Sequence, residues 1–192
     1  GYNTVPDSFR ESIIRWWQRR HRFTMEKEWI LYCTGVVPAI SSIVRKMTEI
    51  GDDIVVLAPV YNIFYNSILN NGRKVLASEL RYADGSYTID YADLEEKLSR
   101  ETTSLFIFCN PHNPIGKVWD RPTLERIAEL CIKHDVLVVS DEIHCDLTHI
   151  GHAYIPFASL SEEIADRTIS CIAPTKTFNI AGLQTAAIVI PN

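Results

Sequence analysis

The chain has 192 residues, of which 46% are hydrophobic and 22% charged, and its formal net charge is −5. This length suits one sizeable α/β domain or two small ones, and the ordinary composition argues against a disordered or low-complexity protein. The negative net charge gives no reason to expect nucleic acid or an anionic membrane as a partner. No apolar stretch approaches the ~20 residues that span a bilayer, and no signal peptide opens the chain.

The opening segment predicts a helix, with Ser8 and Glu11 as a capping box ahead of apolar residues at helical spacing. Helical patterns follow at 37–50 and 62–71, and each ends at a glycine that suits a left-handed C-cap. Two more helices are predicted to begin at Asp90, as an N-cap, and near Pro122, as a first-turn proline.

Short apolar runs alternate with these helices and predict buried strands. The predicted strands are 29–33, 54–58, 74–80, 104–109, 136–140, 168–172 and 185–190. Such alternation indicates an α/β fold, a mostly parallel sheet with helices on both faces. Ligands of such sheets bind beyond the carboxyl ends of the strands, so the residues that follow each strand are the candidates for chemistry.

The turns after the first two strands each have two interpretations. Gly35 lies at a strand-to-helix turn, where backbone N–H groups and a helix N-terminus could hold an anion. Such turns are, however, often mere connections. After the second strand, the pattern alone favours packing of Tyr61 under the next helix over stacking on a planar ligand.

Polar side chains follow the next two strands. Two Asn-Pro pairs and a glycine mark a rigid loop at 110–116, in which Asn113 offers an amide donor to a phenolic or carbonyl oxygen. Asp141 and Glu142 directly follow a buried strand, where carboxylates are costly unless a heterocyclic nitrogen or a metal compensates them. A metal hypothesis would use Asp141 with the histidines at 144, 149 and 152, but their spacing matches no strong metal motif.

Lys176 follows the sixth strand in a loop of small residues, an arrangement in which a lysine can serve as a nucleophile. Alone it would be a surface lysine. Asp141 and Asn113 at neighbouring strand ends favour the chemical interpretation.

Together these stretches resemble the fold-type I pyridoxal-phosphate (PLP) enzymes, the aspartate aminotransferase superfamily of classes I and II. The combination of HNPxG at 112–116, SDEIH at 140–144 and PTKTFNIAGL at 174–183 is highly specific. The chain is most similar to the C–S lyase branch (MalY/PatB type, cystathionine β-lyase and cystalysin-like). The features of that branch are GY at 1–2, TGVVPA at 34–39, PVY at 59–61, CNPHNP at 109–114, SDEIHCDL at 140–147 and KTFNIAGLQ at 176–184.

The resemblance covers residues 1–192 and implies the PLP-binding large domain. That domain is a three-layer αβα structure with a seven-stranded, mostly parallel sheet whose last strand is antiparallel. Most of the N-terminal segment and the C-terminal small domain, which brings the arginine for the substrate carboxylate, are then not in this chain. The lack of an initiator methionine, and the end directly after an apolar run, also suggest a piece of a longer polypeptide.

The resemblance also implies roles for single residues. Lys176 would hold PLP as a Schiff base, Asp141 would bond the protonated pyridine nitrogen, and Tyr61 would stack on the ring. Asn113 would donate to the phenolic oxygen, with His144 beside it. The phosphate would be cradled by the backbone of one turn and the hydroxyl of another: Gly35, Val36, Val37 and Thr175.

Two further positions bear on the phosphate. Tyr2 resembles the tyrosine that reaches the phosphate of the neighbouring subunit, which implies a homodimer. Gln184 stands where many aminotransferases place an arginine, as in the lyase branch. The phosphate should therefore depend more on backbone, hydroxyls and the partner chain.

The implied reaction is an α,β-elimination on cystathionine, cysteine or another S-substituted cysteine, with Lys176 as general base and pyruvate, ammonia and a thiol as products. An aminotransferase and a non-catalytic PLP-binding regulator or structural partner domain are the alternatives. A pure scaffold has no need of Lys176, Asp141 and Asn113 together. The five cysteines are odd in number, form no CxxC pair and mostly lie in apolar runs, as do buried free thiols of a cytoplasmic protein.

Overall fold

The computed structural model describes residues 4–192, which form six α-helices and nine strands. The helices are α1 (Asp7–His21), α2 (Val36–Met47), α3 (Ile63–Leu69), α4 (Tyr91–Leu98), α5 (Arg121–Lys133) and α6 (Glu162–Ala165). The strands are β1 (Ile30–Cys33), β2 (Asp53–Ala58), β3 (Lys74–Glu79), β4 (Arg81–Ala83), β5 (Ser86–Thr88), β6 (Thr103–Cys109), β7 (Leu137–Asp141), β8 (Thr168–Ile172) and β9 (Ala186–Val189). Within this range, no helix has the length and apolar character needed to cross a membrane.

Seven strands form one sheet in the order β1-β9-β8-β7-β6-β2-β3. The strands β2, β3, β6, β7 and β8 are parallel to one another, whereas β9 runs antiparallel to both of its neighbours, β1 and β8. The predicted mostly parallel sheet with an antiparallel last strand is therefore confirmed.

The sheet is covered on both faces, because successive side chains of a strand point in opposite directions. In β2, Val55 and Leu57 pack with α4 and α5 on one face. Ile54 and Val56 pack with α2 and α3 on the other face. The two cores confirm the three-layer arrangement, and α1 adds a third cluster in which Trp17 packs near β8 and β9.

Several predicted helix ends differ from the structure. The capping box at Ser8 and Glu11 is wrong, because α1 begins at Asp7 with Pro6 as N-cap, and the Ser8 carbonyl instead accepts the Ser12 hydroxyl at 2.6 Å. An aspartate in the first turn suits the helix dipole. The helices α2 and α3 are shorter than the predicted 37–50 and 62–71, and their glycines lie in the turns beyond. Asp90 is confirmed as the N-cap of α4, since its side chain accepts from the N–H of Asp93.

The carboxyl ends of the six strands other than β9 lie at one edge of the seven-stranded sheet. Cys109 at the end of β6 lies beside Asp141 at the end of β7, which in turn lies beside Cys171 of β8. β2 is parallel to these strands, and β1 points the same way because both β1 and β8 are antiparallel to β9. The loops that follow β1, β2, β6, β7 and β8 are therefore neighbours.

The packing of the core predicts that Phe108→Ala destabilises the protein by about 3–5 kcal/mol. Phe108 is fully buried, with its ring centroid 5.6 Å from that of Phe106 and 5.3 Å from that of Phe157, so truncation leaves a cavity. The control is Ile150→Ala, at a fully exposed side chain, which should change the unfolding free energy by less than about 0.5 kcal/mol. Urea unfolding measures both, and equal losses would contradict the assigned core.

Candidate active site

A cavity of about 280 Å³ lies at the edge where the strand ends meet. Eight of the residues predicted from the sequence line it: Gly35, Val36, Val37, Tyr61, Asn113, Asp141, His144 and Lys176. Pro38, Cys109 and Ile143 complete its lining. The structure thus brings together residues that are up to 141 positions apart in the sequence, from Gly35 to Lys176.

The turn between β1 and α2 contributes backbone to this cavity. Gly35 is the N-cap of α2, so no side chain caps the first turn, and Val36 and Val37 are its first helical residues. A Cβ atom at Gly35 would lie 3.3 Å from Cδ of Pro38, a close contact that any larger residue would have to relieve. With no acidic residue in the first turn, these N–H groups and the helix dipole can hold an anion.

The loop after β6 is held in place by His112, a residue that the sequence analysis did not single out. Its Nε2 lies 3.0 Å from the carbonyl oxygen of Pro59 in the loop after β2, and Trp119 Nε1 donates to its Nδ1 at 3.4 Å. Burial lowers the pKa of His112 to about 4, so the ring is neutral and donates from Nε2. This bond fixes Asn113 relative to Tyr61, although only the tertiary structure reveals it.

Asp141 is the buried carboxyl group of the site. It is 4% exposed, and its Oδ1 accepts a hydrogen bond from the N–H of Ile143 at 3.1 Å. Burial, and secondly the charge of Glu142, raise the pKa of Asp141 to about 7. Glu142 itself is anchored structurally, since its Oε1 accepts from Ser140 Oγ at 2.9 Å and from the N–H of Phe157 at 3.1 Å.

Lys176 lies in the turn after β8, exposed and next to the cavity. Burial and the nearby Lys176 charge lower the pKa of the half-buried His144, so this imidazole is neutral at neutral pH. Thr175 precedes Lys176 in the same turn but does not line the cavity.

The remaining residues predicted or discussed for the site are Tyr61, Gln184 and Tyr2. Tyr61 is half-buried, with its ring edge-on to Phe64 at 5.8 Å between centroids, so it both packs and faces the cavity. Gln184 is exposed at a φ of 48° and is not part of the cavity lining. Tyr2 lies outside the described residues.

The polar groups that line the cavity fit a flat, anionic cofactor with a basic ring nitrogen. A buried carboxylate whose pKa is raised to about 7 calls for a protonated partner, and among the described residues the charge that shifts this pKa is that of Glu142, an anion. A helix N-terminus suited to phosphate, an amide donor at Asn113 and the amine of Lys176 share the same cavity. A second, more open recess of about 530 Å³ shares Asn113 and His144 with it.

The residues of the metal hypothesis do not come together in the described part of the chain. Among residues 4–192, the ligand-type atoms that come within 4.8 Å of one another belong to His21, Cys145 and Asp146. The histidines at 144, 149 and 152 are not in this group. Burial raises the pKa of the Cys145 thiol well above its ordinary value, so the thiol is a poor ligand at neutral pH.

The chain belongs to the aminotransferase class I and II family, whose model matches residues 1–192. The resemblance found in the sequence is thereby confirmed. Cystathionine beta-lyase PatB of Bacillus subtilis (strain 168) is 50% identical over 192 residues, which are 100% of this chain and 50% of that protein. Kynurenine--oxoglutarate transaminase 3 of Rattus norvegicus is 32% identical over 163 residues, which are 81% of this chain and 36% of that protein.

Structural comparison agrees. The structure of cystalysin from Treponema denticola, which contains a pyridoxal 5'-phosphate cofactor, matches with a TM-score of 0.98 and 39% identity. The match covers 100% of this chain and 49% of that one. The chain therefore spans about half the length of the relatives it matches.

We expect Asp141→Asn to stabilise the cofactor-free protein in mildly alkaline solution. The folded carboxyl has a pKa of about 7, above its ordinary 3.8, so the folded state holds a proton that the unfolded chain has lost. Stability therefore falls as the pH rises between these two values. The amide has no charge to desolvate, so the variant should gain up to about 4 kcal/mol above pH 7 and almost nothing near pH 4.

Urea unfolding over this pH range tests the expectation, with Asp166→Asn at an exposed carboxyl as the control that should leave the pH dependence unchanged. Destabilisation by Asp141→Asn above pH 7 would show that the carboxylate has a compensating partner in the cofactor-free protein.

Proposed function

We propose that residues 1–192 are the PLP-binding large domain of a C–S β-lyase. The observation that carries this proposal is the cavity in which the buried carboxyl of Asp141, with its raised pKa, and the amine of Lys176 occur together. The similarity to a cystathionine beta-lyase along the whole chain and to a PLP-containing cystalysin supports both the cofactor and the reaction class.

When bound, PLP would act as an electron sink for negative charge at the substrate Cα. Lys176 would hold it covalently through its amine, and the same amine would serve as the general base for the substrate Cα proton. Asp141 would keep a proton on the ring nitrogen, and that proton would in turn offset the cost of the buried carboxylate. Asn113 would donate a hydrogen bond to the phenolic oxygen, beside the neutral imidazole of His144.

The remaining residues would bind rather than react. Tyr61 would stack on the ring, and the N–H groups of the 35–37 turn would hold the phosphate. Thr175, which directly precedes Lys176, would add its hydroxyl. Tyr2 would complete the phosphate site of a partner subunit in a homodimer. These binding contributions matter because Gln184 supplies no charge to the phosphate.

The proposed substrates are cystathionine, cysteine or other S-substituted cysteines. Loss of the Cα proton and departure of the thiol from Cβ leave an enamine, which water converts to pyruvate and ammonia. The recess that shares Asn113 and His144 with the cavity offers room for the substituent on sulfur. The arginine that would hold the substrate carboxylate is expected in a small domain outside these residues.

An aminotransferase is the second candidate, favoured by the similarity to a kynurenine–oxoglutarate transaminase over 81% of the chain. The two reactions share the removal of the Cα proton by Lys176. They differ in whether a group then leaves Cβ or the substrate amino group is passed on to a 2-oxo acid. The lyase relative matches the whole of this chain and has the higher identity, and both facts favour elimination.

We also place the protein in the cytoplasm. All five cysteines are free, four of them are buried, and none is arranged as a disulfide. Free buried thiols of this kind are typical of a reducing compartment.

The full-length protein with PLP and cystathionine should release pyruvate, ammonia and homocysteine in equal amounts. Each turnover converts one cystathionine and one water into one molecule of each product. A lactate dehydrogenase coupled assay for pyruvate and a thiol assay measure the products. Lys176→Ala, which lacks the general base, should lose at least about 10²-fold in rate. Residues 1–192 alone should turn over little, since the substrate carboxylate would lack its anchor.

The elimination proposal fails if no pyruvate appears while a 2-oxo acid is converted to an amino acid. That outcome would assign the protein to the aminotransferases instead.

A further inference from the structure

The turn that carries Lys176 is closed by its own backbone. The N–H of Phe178 donates to the carbonyl of Pro174 at 2.9 Å, and that of Ile180 donates to the carbonyl of Thr175 at 3.0 Å. Asn179 has a φ of 53°, which completes the reversal of the chain. These bonds shape the turn but do not fix its position relative to the cavity, and the Lys176 side chain is itself exposed and long.

The two residues that follow Lys176 attach the turn to the rest of the domain. Thr177 Oγ1 donates to Asp146 Oδ2 at 3.2 Å. The ring of Phe178 stands edge-on to Trp16 of α1, with 5.3 Å between the centroids. Trp16 in turn donates from Nε1 to the same Asp146 oxygen at 3.0 Å. The turn is therefore attached to Trp16 of α1 twice, directly through Phe178 and indirectly through Asp146.

Asp146 is built to hold several donors. Its side chain is only 6% exposed, and its Oδ1 lies 3.2 Å from His21 Nε2 and 3.4 Å from Arg20 Nε. Burial opposes ionisation, but the nearby His21 imidazole and the hydrogen bonds from Trp16 and Thr177 outweigh it and keep the pKa of Asp146 below its ordinary value. Asp146 is therefore a carboxylate at neutral pH, and its bond to the Thr177 hydroxyl is charge-assisted.

We propose that Asp146 is a positioning residue, which ties the Lys176 turn to α1 through Thr177 and so holds the amine at the mouth of the cofactor cavity. Asp146 does not line that cavity and acts only through its neighbours. The role follows from geometry, because a reactive group works only when its supporting residues hold it within a fraction of an ångström. The inference depends on the proposed function, since it assigns Lys176 as the cofactor lysine.

The test uses the full-length protein and the variant Thr177→Val. Substitution of Asp146 itself would disturb three residues of α1, whereas valine at 177 removes only the bond to the turn. Thr177→Ser, which keeps the hydroxyl, is the rescue variant. Thr102→Val is the matched control, because its hydroxyl also donates to an aspartate, Asp53 Oδ2 at 2.6 Å, at the opposite edge of the sheet.

Two quantities are measured: the dissociation constant of PLP by absorbance titration, and amide hydrogen exchange of residues 177–180 in the cofactor-free protein. Thr177→Val should raise both the dissociation constant and the exchange rate about tenfold, the worth of one hydrogen bond to a charged group. Thr177→Ser and Thr102→Val should leave both close to the parent values.

The outcomes separate the two proposals. A parent protein that forms no PLP adduct at Lys176 would overturn the proposed function and the positioning role with it. A parent that forms the adduct, together with unchanged PLP binding and unchanged exchange in Thr177→Val, would overturn the positioning role alone. Equal effects from Thr102→Val would also overturn it, because they would show a general loss of stability.

Discussion

The buried carboxylate of Asp141 sets the condition that the other residues of the site have to meet. It ends the central strand β7, where a charge costs free energy unless a cation or a proton compensates it. Glu142, whose charge also raises the pKa of Asp141, increases that cost. A protonated ring nitrogen would supply the compensation. The loop after β6, the N-terminus of α2 and the Lys176 turn all border the same cavity, so they would surround such a ring.

The Asp141 carboxylate would lower the stability of the cofactor-free protein and strengthen the binding of a cationic ligand. Its burial costs free energy when no cation is near, and a bound cation would recover that free energy. The cores on both faces of the sheet supply the stability that allows it, with fully buried side chains such as Phe108 and Ile107 directly behind the site. The sheet also positions the site, because strand register places Cys109, Asp141 and Cys171 side by side.

The strand pattern and the rule for parallel sheets were enough to predict that Asn113, Asp141 and Lys176 lie at one edge. Residues whose roles depend on tertiary contacts could not be predicted: His112 meets Pro59 and Asp146 meets α1 only after folding. The β4–β5 hairpin was missed although Asp84-Gly85, with φ of 51° and 75°, is a recognisable hairpin turn. The capping box failed because competing start signals, Pro6 and Asp7, stood just before Ser8.

The most direct test of the account is to reduce the PLP-treated protein with borohydride, digest it and locate the pyridoxyl group by mass spectrometry, alongside Lys176→Ala. We predict an absorbance band that borohydride abolishes in the parent alone and a label on the peptide that contains Lys176. An equal band in both proteins, with the label on other lysines, would contradict the central claim that Lys176 is the residue that holds the cofactor.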